Sequence, residues 1–186
     1  MVKNMKVFGT DQWVKNNQMQ ALFDRLKTSS DNNLMSINMK NLFRLFNPPF
    51  KDVCDCIIIT DSDVTNIEKN FDNILKMYMD RTGYEASNTE TRINDYFSCK
   101  ISVMDGLKIA MLLVDNWKRK IEELVSNTPI CFILSVIDNH VELRFHKVRK
   151  NEQMWLDTDL SKYKDEAIAY MITYTAHTVK GTEYEL

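Results

Sequence analysis

A chain of 186 residues, 44% hydrophobic and 27% charged, is long enough for one compact core, and two domains of that total would each be small. Its 24 basic and 26 acidic side chains leave a net charge of -2, which argues against retention on nucleic acid or an anionic membrane by bulk charge, although a local basic patch is allowed. With 4 glycines, 3 prolines and neither a GxGxxG nor a GxxxxGK[ST] run, phosphate-cradling loops are nearly excluded.

Residues 1–8 contain no apolar signal-peptide core and no apolar run reaches bilayer-spanning length, so a cytoplasmic location is expected. Residues 11–29 carry Met19, Leu22, Phe23 and Leu26 at spacings of three and four, which predicts an amphipathic helix. A second helix begins near Ser36, with Met39, Leu42, Phe43 and Phe46 on one side, and stops at Pro48-Pro49, where the residue before proline is driven out of the α region. Residues 53–60 read as one strand buried on both faces. A helix from Asp63 or Thr65 to about Thr82 follows, with Ile67, Phe71, Ile74, Leu75 and Tyr78 inward and Gly83 capping its end.

Residues 85–100 are polar and then β-like from Arg92, predicting a loop and an edge strand. Ser102 and Asp105 resemble a capping box ahead of the longest helix, whose stripe is Leu107, Met111, Val114, Trp117, Ile121 and Leu124; Thr128-Pro129 ends it. Residues 130–137 are an unbroken apolar run, residues 140–149 alternate, and Asp138-Asn139 between them is turn chemistry, so 130–149 reads as a central antiparallel hairpin. Trp155 and Leu156 fold back onto the core, residues 159–166 supply one or two helical turns, and 168–175 is rich enough in β-formers for a last strand, with helix the alternative. Residues 181–186 read as a frayed end. The expected fold is one α+β domain over residues 1–186, with a mixed or antiparallel sheet of about four or five strands built on the hairpin and packed by about four helices.

Three readings of chemistry compete. Asp61 and Asp63, after Ile57-Ile-Ile-Thr60, match in form the Asp-x-Asp-x-Thr that opens haloacid dehalogenase-type phosphatases, where the first carboxylate attacks phosphorus beside magnesium. The required downstream Lys, second acidic pair and glycine-rich turns are missing, so a turn and helix N-cap is the preferred reading. On the second hairpin strand Val141, Leu143 and Phe145 share one face, and Glu142, Arg144 and His146 the other, with Arg149 beyond. Arg144 and His146 have the chemistry of a metal-independent ribonuclease. The chain offers no clear second catalytic histidine, since His140 sits in the turn and His177 near the tail, so a polar sheet face pairing with Glu90, Asp95 or Glu152 is preferred.

The cysteines at 54, 56, 99 and 131, three of them in predicted strands and Cys54 and Cys56 on one face, lack a zinc-ligand spacing and read as reduced, buried thiols. No metal or cofactor is expected. The 11 methionines fall mostly on helical stripes as core filler, and Trp13, Trp117 and Trp155 read as packed; any of the three found exposed becomes a leading contact residue.

The runs Glu90-Thr-Arg92-Ile-Asn94-Asp95-Tyr96, Asp115-Asn-Trp117-Lys and Leu143-Arg144-Phe145-His146-Lys-Val-Arg149-Lys-Asn-Glu152-Gln-Met-Trp155-Leu156 resemble small cytoplasmic immunity proteins of bacterial contact-dependent and polymorphic toxin systems, over residues 90–165. The resemblance implies a non-enzymatic protein that binds a cognate toxin domain, such as a basic nuclease, and blocks its active site or substrate entry. Glu90, Asp95, Glu142 and Glu152 are then the expected contacts, with Arg92, Arg144, His146 and Arg149 as the polar network beside them. The alternatives are a small nuclease or phosphatase, and a phage or mobile-element inhibitor of a host protein. Neither membrane nor nucleic acid is an expected partner.

Overall fold

In the computed structural model of this chain, residues 12–28 and 39–175 are described. The expected helix start near Ser36, His177 and the terminal 181–186 lie outside them. In order come β1 (Val14–Lys15), α1 (Asn17–Thr28), α2 (Met39–Phe46), β2 (Phe50–Val53) and β3 (Cys56–Ile59). Then follow α3 (Thr65–Lys69), α4 (Phe71–Tyr78), α5 (Arg81–Asn88), β4 (Thr91–Arg92) and α6 (Val103–Leu124). The chain continues through β5 (Pro129–Ile137), β6 (His140–Lys147) and β7 (Ala167–Tyr174). The fold is α+β, with a five-stranded sheet in the order β1-β7-β5-β6-β4, all neighbours antiparallel, and a separate β2-β3 hairpin.

The 130–149 hairpin is the spine of this sheet, with Ile137 paired to His140 across Asp138 and Asn139, whose φ values of 49° and 64° are those of a two-residue hairpin turn. Residues 167–174 are strand. Three expectations need correction. Residues 53–60 are not one strand: Cys54 and Asp55, at φ 52° and 63°, turn the chain back, so Cys54 is a turn residue and only Cys56 lies in the buried strand. The helix expected over 63–82 is three helices, and 85–88 belongs to the third rather than to a loop. Met79 leaves the helical region at φ 73° and Asp80 caps α5 by accepting from Gly83 N at 2.7 Å. Gly83 therefore opens a helix instead of ending one, and is glycine because a Cβ there would lie 2.3 Å from the Tyr78 carbonyl oxygen. After Arg92 a 3-10 turn, Ile93–Tyr96, replaces most of the expected edge strand, and residues 159–166 hold one such turn, Leu160–Lys162.

Ser102 caps α6: Asp105 N donates to Ser102 Oγ at 3.1 Å, and Ser102 Oγ donates in turn to the Asp105 carboxylate at 2.7 Å. That helix lies across one face of the sheet, packing Leu107, Met111, Trp117 and Ile121 on Phe132, Leu134, Leu143 and Phe145. Phe50 from β2 completes this core, its ring 5.6 Å from Trp117 and 5.5 Å from Phe145, both edge-on. On the opposite face Cys131, Ile133 and Ile168 are covered by Leu156 and Leu160 of the segment that joins β6 to β7. Leu156 thus folds back as expected, whereas Trp155 beside it is 40% exposed.

The outer edge of β6 is closed mainly by side chains. Val141 N donates to Asn94 Oδ1 at 3.0 Å, Phe145 N to Thr89 Oγ1 at 3.0 Å and Lys147 N to Glu85 Oε2 at 2.9 Å, with β4 pairing between them. The facing edge of β3 is closed the same way, Ile57 N donating to Glu85 Oε1 at 2.6 Å and Ile59 N to Asn88 Oδ1 at 2.7 Å. Helix α5 does the work of a strand between two sheets, because buried N–H groups need acceptors whatever supplies them.

Candidate functional site

Six of the eight residues nominated from the sequence fall into two ionic clusters at the α5 and β4 edge of the sheet. The first is a closed square. β4 sets Arg92 opposite Glu142, and alternation along β6 puts Arg144 on the same face as Glu142. Arg144 bonds Glu90 at 3.0 Å and Glu142 at 3.1 Å; Arg92 reaches the same two carboxylates at 3.6 and 3.1 Å. Trp155 lies against this square, with the Arg144 guanidinium 4.2 Å from its ring centroid. Burial raises the pKa of Glu166 first, against the field of Arg144 that lowers it and with that of Glu142 that raises it.

The second cluster is centred on Glu85, which the sequence reading missed. Its side chain is fully buried, yet it takes three donors: Ile57 N, Lys147 N and Arg149 Nη1, the last at 2.7 Å. Burial pushes its pKa up against the pull of Arg149. Burial opposes the charge on Arg149, but the bond and field of Glu85 outweigh it and raise that pKa. Arg149 also meets Asp55 at 3.3 Å and Glu152 at 3.7 Å, while Lys147 bonds Asp52 at 3.1 Å and Asp55 at 3.0 Å. Glu152 accepts from Thr82 N and Oγ1 at 2.9 and 2.7 Å, placing a carboxylate on the first turn of α5. The one signal for Glu85 was the Asp80-Arg-Thr-Gly83 start that makes 81–88 a helix; its burial depends on strands far off in sequence.

The two clusters share the sheet edge, but the structure does not gather all eight nominated residues into one site. Asp95 is exposed in its 3-10 turn and forms no ion pair among the described residues. His146 is 1% exposed and bonds no carboxylate: Nδ1–H donates to its neighbour's carbonyl, Lys147 O, at 2.9 Å, and Nε2 has no partner among the described residues. Burial lowers its pKa, so the neutral ring dominates near pH 7. Asp61 pairs with Arg44 at 2.6 Å, and Asp63 accepts from Thr65 N and Oγ1 at 3.2 and 2.9 Å, so this pair of carboxylates forms a turn, with Val64 at the N-cap position itself. Beside it a groove of about 690 Å³ runs between Pro48, Phe50 and Leu124.

Two of the four thiols depart from the buried reading: Cys99 is exposed and Cys54 half-buried, while burial pushes Cys56 and Cys131 up to about 12. Among the described residues no three His, Cys, Asp or Glu side chains are placed to hold a metal ion, and no helix is long and apolar enough to cross a membrane. The geometry can hold guanidinium and carboxylate groups rigidly at a surface and present an aromatic ring over them.

No curated protein and no solved structure matches this chain. The model of the Uncharacterized protein PM0498 family matches residues 14–180, and with most of its length so covered, the chain belongs to that family.

Proposed function

We propose that this chain is a non-enzymatic, immunity-type protein that acts in the cytoplasm by binding a cognate toxin domain and blocking it. The observation that carries the reading is Trp155, a large exposed ring held on a guanidinium that two carboxylates clamp in turn. An aromatic presented this way loses little side-chain freedom on docking, the property of interface anchors. Arg144 is engaged on two sides and His146 is sealed from solvent, which leaves neither poised for acid–base work on a substrate. The segment over 150–166 carries five carboxylates against three lysines, so a basic toxin surface would be steered toward this face. Within this reading Glu90 and Glu142 supply the acidic contacts beside the ring, and Glu152 and Arg149 brace the segment.

Co-expression with the product of the neighbouring gene tests the proposal: rescue of growth together with a stable purified complex is expected. Hydrolysis of RNA or a phosphomonoester by the purified protein, lost in His146→Ala or Asp61→Asn without loss of folding, would replace it with an enzymatic reading.

A further inference from the structure

We infer that residues 154–162 form an acid-released strap over the sheet, with the buried ring of His146 as its proton sensor. The inference goes beyond the binding reading and stands without it. His146 lies opposite Cys131 across β5 and β6, so the two side chains share the face whose apolar cover is Leu156 and Leu160. The ring is 1% exposed; Nδ1–H donates to the Lys147 carbonyl, and Nε2 has no partner among the described residues. A bare nitrogen under an apolar cover is tolerable while the ring is neutral, but a proton there is a buried charge without an acceptor and costs far more. Arg149 opposes that proton, while Asp80 and Glu152 favour it. Both carboxylates already accept from the first turn of α5, from Gly83 N and from Thr82. Arg144, two residues back on the same face, is engaged by Glu90 and Glu142, and Cys131, its thiol pushed up to about 12, stays neutral.

The strap can lift without breaking the sheet. Its backbone hydrogen bonds are local: Asp157 N donates to the Tyr163 hydroxyl at 2.8 Å, Asp159 N to Asp157 Oδ1 at 2.9 Å and Lys162 N to Asp159 O at 3.3 Å. Leu156 and Leu160, with Met154 beside them, and the Trp155 ring on Arg144 hold it down. Its ends are pinned, by Glu152 on Thr82 and by Asn16 Nδ2 donating to Tyr163 O at 3.2 Å. Such a unit opens at less free energy than the whole fold. Burial keeps the covered ring below its ordinary 6.5, whereas a released ring titrates there. Opening is therefore independent of pH above 6.5 and rises up to about tenfold per pH unit below it, until the covered ring itself takes the proton. Lifting also takes Trp155 off Arg144, so acid would dismantle the face that carries the ring.

The test is NMR of the full chain between pH 7 and pH 5, reading amide hydrogen exchange and the His146 ring protons together. Each exchange rate is divided by that of the unstructured chain at the same pH. The Asp157, Asp159 and Lys162 amides are expected to be less protected than those of Phe132 and Leu134 in β5, and to lose about tenfold of their protection on acidification. His146→Gln, which keeps a neutral polar side chain, should abolish that loss. Strap amides as protected as those of β5, or an equal loss in His146→Gln, would overturn the inference. Should His146→Gln fail to fold, the ring decides: it is expected to titrate below 6.5 in the wild type and to move toward that value in Leu160→Ala, which loosens the strap. A ring that titrates at 6.5 or above, or one unmoved by Leu160→Ala, would overturn it equally.

Discussion

Replacing Glu85 by alanine is expected to destabilise the fold by about 4 kcal/mol or more. The substitution removes the acceptor of two buried backbone donors, Ile57 N at 2.6 Å and Lys147 N at 2.9 Å, and an orphaned buried donor costs about 1–3 kcal/mol. It also breaks the pair with Arg149, and losing one partner of a buried ion pair costs about 3–5 kcal/mol. The lower part of the combined range applies, because Arg149 keeps Asp55 and Glu152 as partners. That loss is a large fraction of the roughly 5–15 kcal/mol by which a domain is stable. Urea unfolding of the wild type, Glu85→Ala, Arg149→Ala and the double variant measures the total and the pair coupling separately. Native-state hydrogen exchange should show the Ile57 and Lys147 amides losing protection first, since both rely on this carboxylate. A loss under about 1 kcal/mol, or unchanged exchange at those two amides, would refute the claim that Glu85 joins the β2-β3 hairpin to the main sheet.

Acidification supplies a second prediction. The folded-state pKa of His146 is held below 6.5, so its contribution is present above that value and lost as pH falls through it toward the folded pKa; Glu85, with a raised folded pKa, has the opposite slope. Between pH 7 and pH 5 the melting temperature of the wild type should therefore fall relative to that of His146→Leu, which lacks the histidine contribution and keeps that of Glu85. Gly106→Ala would place its Cβ 2.7 Å from Val141 Cγ2, on a stiff β-branched side chain, and should cost about 1–3 kcal/mol in chemical unfolding, with Val141→Ala relieving the clash in the double variant. Trp155→Ala should move the unfolding midpoint by less than about 1 kcal/mol while weakening toxin binding at least tenfold by calorimetry, because the ring is half exposed but central to the proposed contact. In native alkylation followed by mass spectrometry Cys99 should react first and Cys56 and Cys131 not at all, since burial holds the latter two thiols near 12.

Much of the candidate site was legible as alternation along β6. Period two placed Glu142, Arg144 and His146 on one face, and Glu90 was named among the expected partners of Arg144. What a strand pattern could not reveal is which of these residues the 150–166 segment covers. That segment exposes Trp155 yet leaves His146 buried, although period two gives Arg144 and His146 the same face. The second hairpin escaped notice because Cys54-Asp55 is not a usual turn pair, whereas Asp138-Asn139 is; both turns have the same positive φ values, but only one carries the usual side chains.

The central hairpin and α6 with its Ser102 cap were decided locally, by apolar period, cap chemistry and turn residues, because each depends on neighbours a few positions away, whereas the choice of strand over helix for the last element came from its pairing with β5. Only the tertiary structure decided that Glu85 should be an internal acceptor for strands 28 and 62 residues away, since a carboxylate in a polar run looks solvated until two sheets close on it. The square of Glu90, Arg92, Glu142 and Arg144 under Trp155 has the same origin. Sheet pairing and a returning loop bring those charges within bonding distance, and the burial of Glu142 and Arg144 then makes their mutual neutralisation obligatory.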